Sequence, residues 1–492
     1  MDYDAARKRL QDERSWMATA NSKQREKHRI KGKLHMSERI GLLLDKGSWL
    51  EYGEFARSSE PEANDRSPRD GVFTGIGTVN GQPIAIIAHD ITALGGSQSY
   101  VNVRKVDRMI KLAIKKRFPI IVLCEGGGVR LPDGVGLGFA RLVGLQTIHS
   151  LSTLAHPGIR PLLISAVFGY CYGDQALWAA YSDFTIMVQD SSVALSGPPV
   201  LEAAISEKIT DLELGGPIIH QTITGVTDFV VKTEAQAIDR IKQILHILRA
   251  PEMCSDPVDR LIYDAESIVP HDNKQVYDMR KMITRICDNA EFMEAKARYG
   301  TGLVVGLGRI GGQVVGIVAS QPNSAGGAVD AKGIRKSAEF LEFINIRKIP
   351  LLVLQDIPGF LVGSAVEKDG LLKAVQAHCR VLEALEIAMV TLIIRKAYGA
   401  AYYFLGTGAS GAQFVAAWPN AEISFMSPKI GAYVLTKHIE PEKKKEVIEK
   451  TVTELERGAS VWDAAREFWL DAIIDPKETR KIICHAFRLL SG

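Results

Sequence analysis

The amino-acid sequence predicts an α/β protein in which one domain is repeated in tandem. Three features carry that prediction: a segment that recurs at constant spacing, apolar runs of strand length set between Pro and Gly, and helical periodicity between those runs. GIGTVNGQPIAIIAHDITALGGS, Gly75 to Ser97, returns as GLGRIGGQVVGIVASQPNSAGGA, Gly306 to Ala328. The offset of 231 places Gly77 on Gly308, Gly81 on Gly312, Gln82 on Gln313 and Gly95-Gly96 on Gly326-Gly327. It runs on without a gap to Pro119 on Pro350 and Glu125 on Asp356.

Each copy opens with two short runs around a Gly turn, the second being IAIIA or VVGIVA, which reads as a hairpin. A Gly-Gly loop and a helix follow; in the first copy Val103, Val106, Ile110 and Ile114 form its apolar stripe. IIVLC and LLVLQ come next, continuous enough to be strands buried on both faces. After a further helix each copy has another buried strand, PLLISAVFG near Leu162 and MVTLIIRKAYG near Leu392. The alternation predicts stacked β-α units with right-handed crossovers. The Pro- and acid-rich stretch from Pro251 to Lys281 reads as the linker between copies.

A chain of 492 residues suits two such domains. Apolar residues make up 46% and charged residues 24%, and no apolar stretch is long enough to span a bilayer. The acid-containing N-terminus has no signal-like apolar region, so a cytoplasmic location is expected. The six cysteines, Cys124, Cys171, Cys254, Cys287, Cys379 and Cys484, are scattered, which argues against a disulfide framework or a zinc site. A net charge of +3 argues against nucleic acid. The basic run from Arg7 to Lys33 is open to two readings, a solvated helix face or an attraction for phosphates or an acidic partner.

Both copies place glycine where strands end, the position at which α/β folds bind ligands. These are EGGGVRLPDG from Glu125 and FGYCYGDQA from Phe168, then DIPGFLVG from Asp356 and KAYGAAYYFLG from Lys396. Strand, small residues and helix in succession leave amide N–H groups free to hold an oxygen on which negative charge develops. No nucleophile elbow or P-loop is present, and His89 reads as structural.

Nearly the whole chain resembles the carboxyltransferase (beta) subunits of biotin-dependent acyl-CoA carboxylases, of the propionyl-CoA and methylmalonyl-CoA type. The matching segments are KGKLHMSERIGLLLDKGSWLE from Lys31, DGVFTGIG from Asp70, GGSQS from Gly95, DPVDRL and IVPHD, ARYGTGLVVGLGRIGGQVVGIVASQP from Ala297, DIPGF from Asp356, RKAYGAAY from Arg395 and AWPNAEISFM from Ala417. The resemblance implies two tandem crotonase-like domains of the ClpP/crotonase superfamily, each a β-β-α superhelix: residues 1–255 on the acyl-CoA side and 256–492 on the carboxybiotin side. It implies transfer of a carboxyl group from carboxybiotin to the α-carbon of an acyl-CoA, through enolates held in two backbone oxyanion holes and without a metal. By position, the thioester hole is the N–H of Gly173 and Asp174, and the biotin hole that of Ala400 and Ala401 beside Gly399. Gly127, Gly128 and Arg130 match the loop near the acyl-CoA. Arg130 has two readings, a contact to CoA phosphate or an ion pair with Glu125 or Asp133. Biotin would arrive on a biotin carboxyl carrier protein, loaded by a biotin carboxylase. Both would be separate chains, since this one has no Met-Lys-Met site and no ATP-grasp segment. The family also implies a homo-oligomer, a hexamer built as a trimer of dimers, with each active site formed between subunits.

Four departures from the family pattern cluster at the site. Gly-Gly becomes Gly173-Asp174, GGAYD becomes Gly399-Ala400-Ala401-Tyr402-Tyr403, DSGGAR becomes Glu125 to Arg130, and the His after Gly370 is replaced by Lys373 and Ala374. A carboxylate beside a developing enolate opposes it. Asp174 therefore either points away or transfers a proton, as in a CoA-thioester decarboxylase that is biotin-dependent or uses Asp174 alone; a catalytically altered paralogue is the third reading. Tyr403, standing where the family's acid bears on acyl preference, implies a different acyl pocket.

Overall fold

Strand runs that are apolar from end to end can only be accommodated in sheets covered on both faces, and two such sheets form. The computed structural model describes residues 2–131, 133–138, 140, 158, 160–249, 256–439 and 441–490. The chain divides into two compact units, Met1–His246 and Ile247–Gly492. The boundary expected between 255 and 256 adjoins residues 250–255, which lie outside the described residues, as does Cys254. Both units have the crotonase-like β-β-α arrangement.

In the first unit, β1 (Leu50–Glu51), β2 (Val72–Val79) and β3 (Gln82–His89) form an antiparallel meander. From β3 the sheet continues in parallel through β4 (Ile120–Gly126), β5 (Leu163–Tyr172), β6 (Phe184–Val188) and β8 (Phe229–Val231), while β7 (Ser192–Ala194) pairs with the far end of β5. The helix Tyr100–Lys116 crosses from β3 to β4. Ser99 caps it, and Val103, Val106, Met109, Ile110 and Ala113 bury its inner face; of the four positions read as its stripe, Ile114 is only partly buried.

The second unit repeats this order. β9 (Phe292–Ala295), β10 (Leu303–Ile310) and β11 (Gln313–Ser320) are antiparallel, and β12 (Leu351–Ile357), β13 (Met389–Tyr398), β14 (Phe414–Ala417) and β16 (Ala472–Ile473) continue in parallel. β15 (Glu422–Ser424) pairs with the end of β13, as β7 does with β5. Asp330 caps the crossing helix Ala331–Ile346, at the position 231 residues after Ser99. Lys105 and Lys336, also 231 apart, each donate to the first carbonyl of a hairpin, Val72 O at 2.5 Å and Leu303 O at 2.7 Å. Burial lowers both ammonium groups to about 7.

From residue 256 onward the expected linker is instead core. Ile262, Ala265, Val269, Tyr277 and Met279 are buried in the second unit's main cluster with strand residues Ile317, Leu352 and Leu392. Its Pro and Asp residues shape turns around those anchors.

Each unit buries a carboxylate at the end of its central strand. Glu125 on β4 accepts from Arg39, with Lys33 Nζ at 3.3 Å and His28 Nε2 at 3.5 Å. Arg39 also forks onto Glu234, at 2.9 and 2.7 Å. Asp356 on β12 accepts from Arg395 Nε at 2.9 Å, with Lys396 Nζ at 3.5 Å. Arg395 Nη1 also donates to the carbonyls of Pro270, Asp272 and Gln275.

His89 and His378 are buried, and burial lowers both to about 4, so they are neutral structural imidazoles. Among the described residues no helix is long and apolar enough to cross a membrane. Arg39→Met should cost about 3–5 kcal/mol in chemical denaturation, because it leaves Glu125 and Glu234 without their shared cation. A loss under about 1 kcal/mol would mean that Lys33 and His28 suffice.

Candidate functional site

The site begins where β5 and β13 outrun their sheets. The first half of β5 pairs with β4 and β6, and its last three residues, Tyr170–Tyr172, pair with β7. β13 does the same, with Lys396–Tyr398 on β15. Both strands end in Tyr-Gly. The Tyr172 hydroxyl donates to Asp211 and the Tyr398 hydroxyl to Glu422. Burial and the carboxylate acceptor push both phenols well up, so each stays a donor that pins the strand end.

The glycine that follows turns the chain with positive φ, +65° at Gly173 and +66° at Gly399. A Cβ on Gly173 would lie 2.9 Å from the Gly128 Cα, so the turn packs directly on the glycine loop after β4. The Gly173 N–H donates to Ala194 O at 3.2 Å and the Gly399 N–H to Ser424 O at 2.9 Å, each closing a pairing with the accessory strand. Helices then start at once, Asp174–Tyr181 and Ala400–Phe404. Their first amides have no intrahelical acceptor. Among the described residues, the N–H groups of Asp174, Gln175, Ala400 and Ala401 donate to no other acceptor.

The free amides can be set beside the pairs expected from the resemblance. The amide of Gly173 is spent on Ala194, so the free pair in the first unit is Asp174 with Gln175, one residue later than expected. Gly399 makes the turn, but its amide is spent on Ser424, leaving Ala400 and Ala401 as the free pair in the second unit. Gln175 went unnoticed, although superposing the two Tyr-Gly pairs puts Asp174-Gln175 opposite Ala400-Ala401.

The glycine loop is tied to this turn. Gly127 donates to Gly95 O at 2.9 Å, and the buried Gln175 amide donates to Gly96 O at 2.7 Å and Gly127 O at 3.1 Å. Gln98 N–H donates to Gly128 O at 2.9 Å, and Arg130 N–H to Gln98 O at 2.7 Å. A Cβ on Gly126 would meet Gln175 Nε2 at 2.7 Å and Gly95 O at 2.9 Å. Glycine there lets loop and helix approach.

Arg130 is turned to Asp70 and Ser97. Its Nη1 donates to Asp70 Oδ1 at 2.6 Å, Nε to Ser97 Oγ at 3.2 Å and Nη2 to Ser97 O at 3.0 Å, and both Arg130 and Asp70 are buried. The ion-pair partner is Asp70 and neither Glu125 nor Asp133.

Asp174 is half-buried, and its carboxylate accepts from the Gln98 side-chain amide. It faces the glycine loop. Burial raises its pKa, partly offset by the Gln98 donor. The equivalent positions in the second unit are Val329 and Ala400, which carry no polar side chain. Tyr403 is half-buried on the short helix after the Ala400-Ala401 amides, edge-on to Phe404 at 5.5 Å; Phe404 in turn contacts Phe360 and His378.

Residues 27–491 match the carboxyl transferase domain family. The propionyl-CoA carboxylase beta chain of Roseobacter denitrificans is 32% identical over 473 residues, covering 94% of this chain and 91% of that one. The human mitochondrial propionyl-CoA carboxylase beta chain is 33% identical over 468 residues, covering 92% and 85%. Among solved structures, transcarboxylase 12S with methylmalonyl-coenzyme A and methylmalonic acid bound matches with a TM-score of 0.92 at 29% identity, covering 100% of this chain and 96% of that one.

Proposed function

The chain belongs to the carboxyl transferase family, and from that premise we propose how its two free amide pairs divide the work of an acyl-CoA carboxyltransferase. The protein is the carboxyltransferase subunit of a biotin-dependent acyl-CoA carboxylase, acting on a CoA thioester with biotin supplied by a partner. The observation that supports the division is the recurrence of one device: a pinned strand end, a positive-φ glycine and two unpaired amides in each unit.

In the first unit the Asp174 and Gln175 N–H groups receive the thioester oxygen, and Gly128, packed against Gly173, leaves room beside it. Two fixed donors stabilise the negative oxygen as the α-proton leaves, without reorganising at that moment. In the second unit the Ala400 and Ala401 N–H groups suit the ureido oxygen of biotin, an acceptor that gains charge as the carboxyl group departs. Carboxybiotin, when delivered, supplies that carboxyl group. Gly173, Gly399 and Gly127 shape the turns, and Arg130 holds the glycine loop through Asp70. Tyr403 borders the acyl group.

In this reading biotin carboxylase and the biotin carrier are separate chains, as the term beta chain in the relatives' names suggests, and the protein is a homohexamer. The hexamer assembly named for transcarboxylase 12S supports the last point.

The test is reconstitution with biotin carboxylase and loaded carrier over a panel of acyl-CoA thioesters. At least one should be carboxylated only when the carrier is present; turnover of none would overturn the reading. Ala400→Pro removes one donor at a helix position where proline fits. It should lower kcat about 100-fold. Tyr403→Asp should shift the acyl-chain preference in the same assay, and an unchanged profile would remove Tyr403 from the acyl pocket.

A further inference from the structure

The first unit carries a polar pair that the second lacks, at a place where an ionised carboxylate should be a handicap. Gln98 is 7% exposed and held at both backbone ends, its N–H on Gly128 O and its C=O on Arg130 N–H. Its side-chain amide, on a segment bonded to the glycine loop, donates to one carboxylate oxygen of Asp174. Asp174 is thus not turned out to water. Its other oxygen, Oδ1, accepts no hydrogen bond from the described residues, and its own N–H is one of the two free amides.

Resting on the acyl-CoA reading above, we propose that Asp174 is a catalytic residue that moves the α-proton of the thioester, with Gln98 as its positioning residue. Asp174 carboxylate takes the proton from the α-carbon. The C–H electron pair becomes the C=C bond of the enolate, and the carbonyl π pair moves to the oxygen held by the Asp174 and Gln175 N–H groups. The reverse step returns a proton from the carboxylic acid, which exchanges with solvent in between.

The step removes the electrostatic conflict. Asp174 becomes neutral as the enolate becomes charged, so the transfer moves one negative charge across the site instead of adding a second. Burial that favours the neutral acid brings the carboxyl closer to the basicity that proton transfer at neutral pH requires. The enzyme would then form the enolate with no biotin present, giving it an activity separate from carboxyl transfer.

The experiment follows deuterium entry at the α-carbon of acetyl-, propionyl- and butyryl-CoA in D2O, using the full-length protein with no biotin, carrier or biotin carboxylase. Binding of each thioester is measured by calorimetry on the same preparations. The wild type should exchange the α-hydrogen of a thioester that it binds. Asp174→Asn should lower that rate about 100-fold. Gln98→Val, which copies Val329, should lower the saturated rate at least tenfold with little change in the half-saturating concentration, as a purely structural residue would not. A bound thioester that the wild type leaves unexchanged, or exchange that survives Asp174→Asn, would overturn the proposal and leave the carboxyltransferase reading intact. Failure of every thioester to bind would overturn both.

Discussion

A carboxylate buried at the end of a central β-strand has to be neutralised where it stands, and most of the site's architecture follows from how each unit does so. Glu125 and Asp356 lie directly before the loops that approach the free amides, and an unpaired charge there would cost several kcal/mol. The second unit solves the problem within its own sheet. Arg395, on β13, pairs with Asp356 through Nε and gathers Pro270, Asp272 and Gln275 through Nη1. The first unit has Gly169 at the corresponding place on β5, where a Cβ would fall 2.5 Å from a Glu125 oxygen. Its cation must therefore come from outside the sheet. Arg39 supplies it, which gives the KGKLHMSER segment its structural task.

Above those carboxylates the same turn is built twice. A tyrosine anchored to an acid fixes the strand end, an accessory strand takes the glycine amide, and the next two amides are left facing the pocket. Their chemistry depends on neighbours that the repeat does not preserve. The second unit has the apolar Val329 and Ala400 at these places. The first has the hydrogen-bonded pair Gln98 and Asp174, the pair on which the proposed proton transfer rests. The duplication supplies geometry, and two side chains distinguish the halves.

The duplication was legible in the sequence because its 231-residue register is unbroken over both hairpins and both crossing helices. It lapses later: Tyr172 and Tyr398 are 226 apart, so extending the first register misaligns the turn that matters. The free amide pair in the first unit lies one residue after the expected oxyanion pair because the turn glycine's amide is consumed by Ala194, a pairing that no local pattern reveals. The ion-pair reading of Arg130 missed its partner because Asp70 lies 60 residues away, and the Gln98 contact to Asp174 spans 76. Composition misled at residues 256–281, where Pro and Asp suggested a linker but Ile262, Val269 and Met279 enter the core.

The central claim is that in the first unit the oxyanion donors are the amides of Asp174 and Gln175, with Gly173 serving only the turn. A crystal structure of the protein with a bound CoA thioester tests it most directly. The claim predicts the thioester oxygen at about 2.7–3.2 Å from both the Asp174 and Gln175 nitrogens, with the Gly173 N–H still on Ala194 O. A thioester oxygen bonded to the Gly173 N–H, or bound away from this turn, would contradict it.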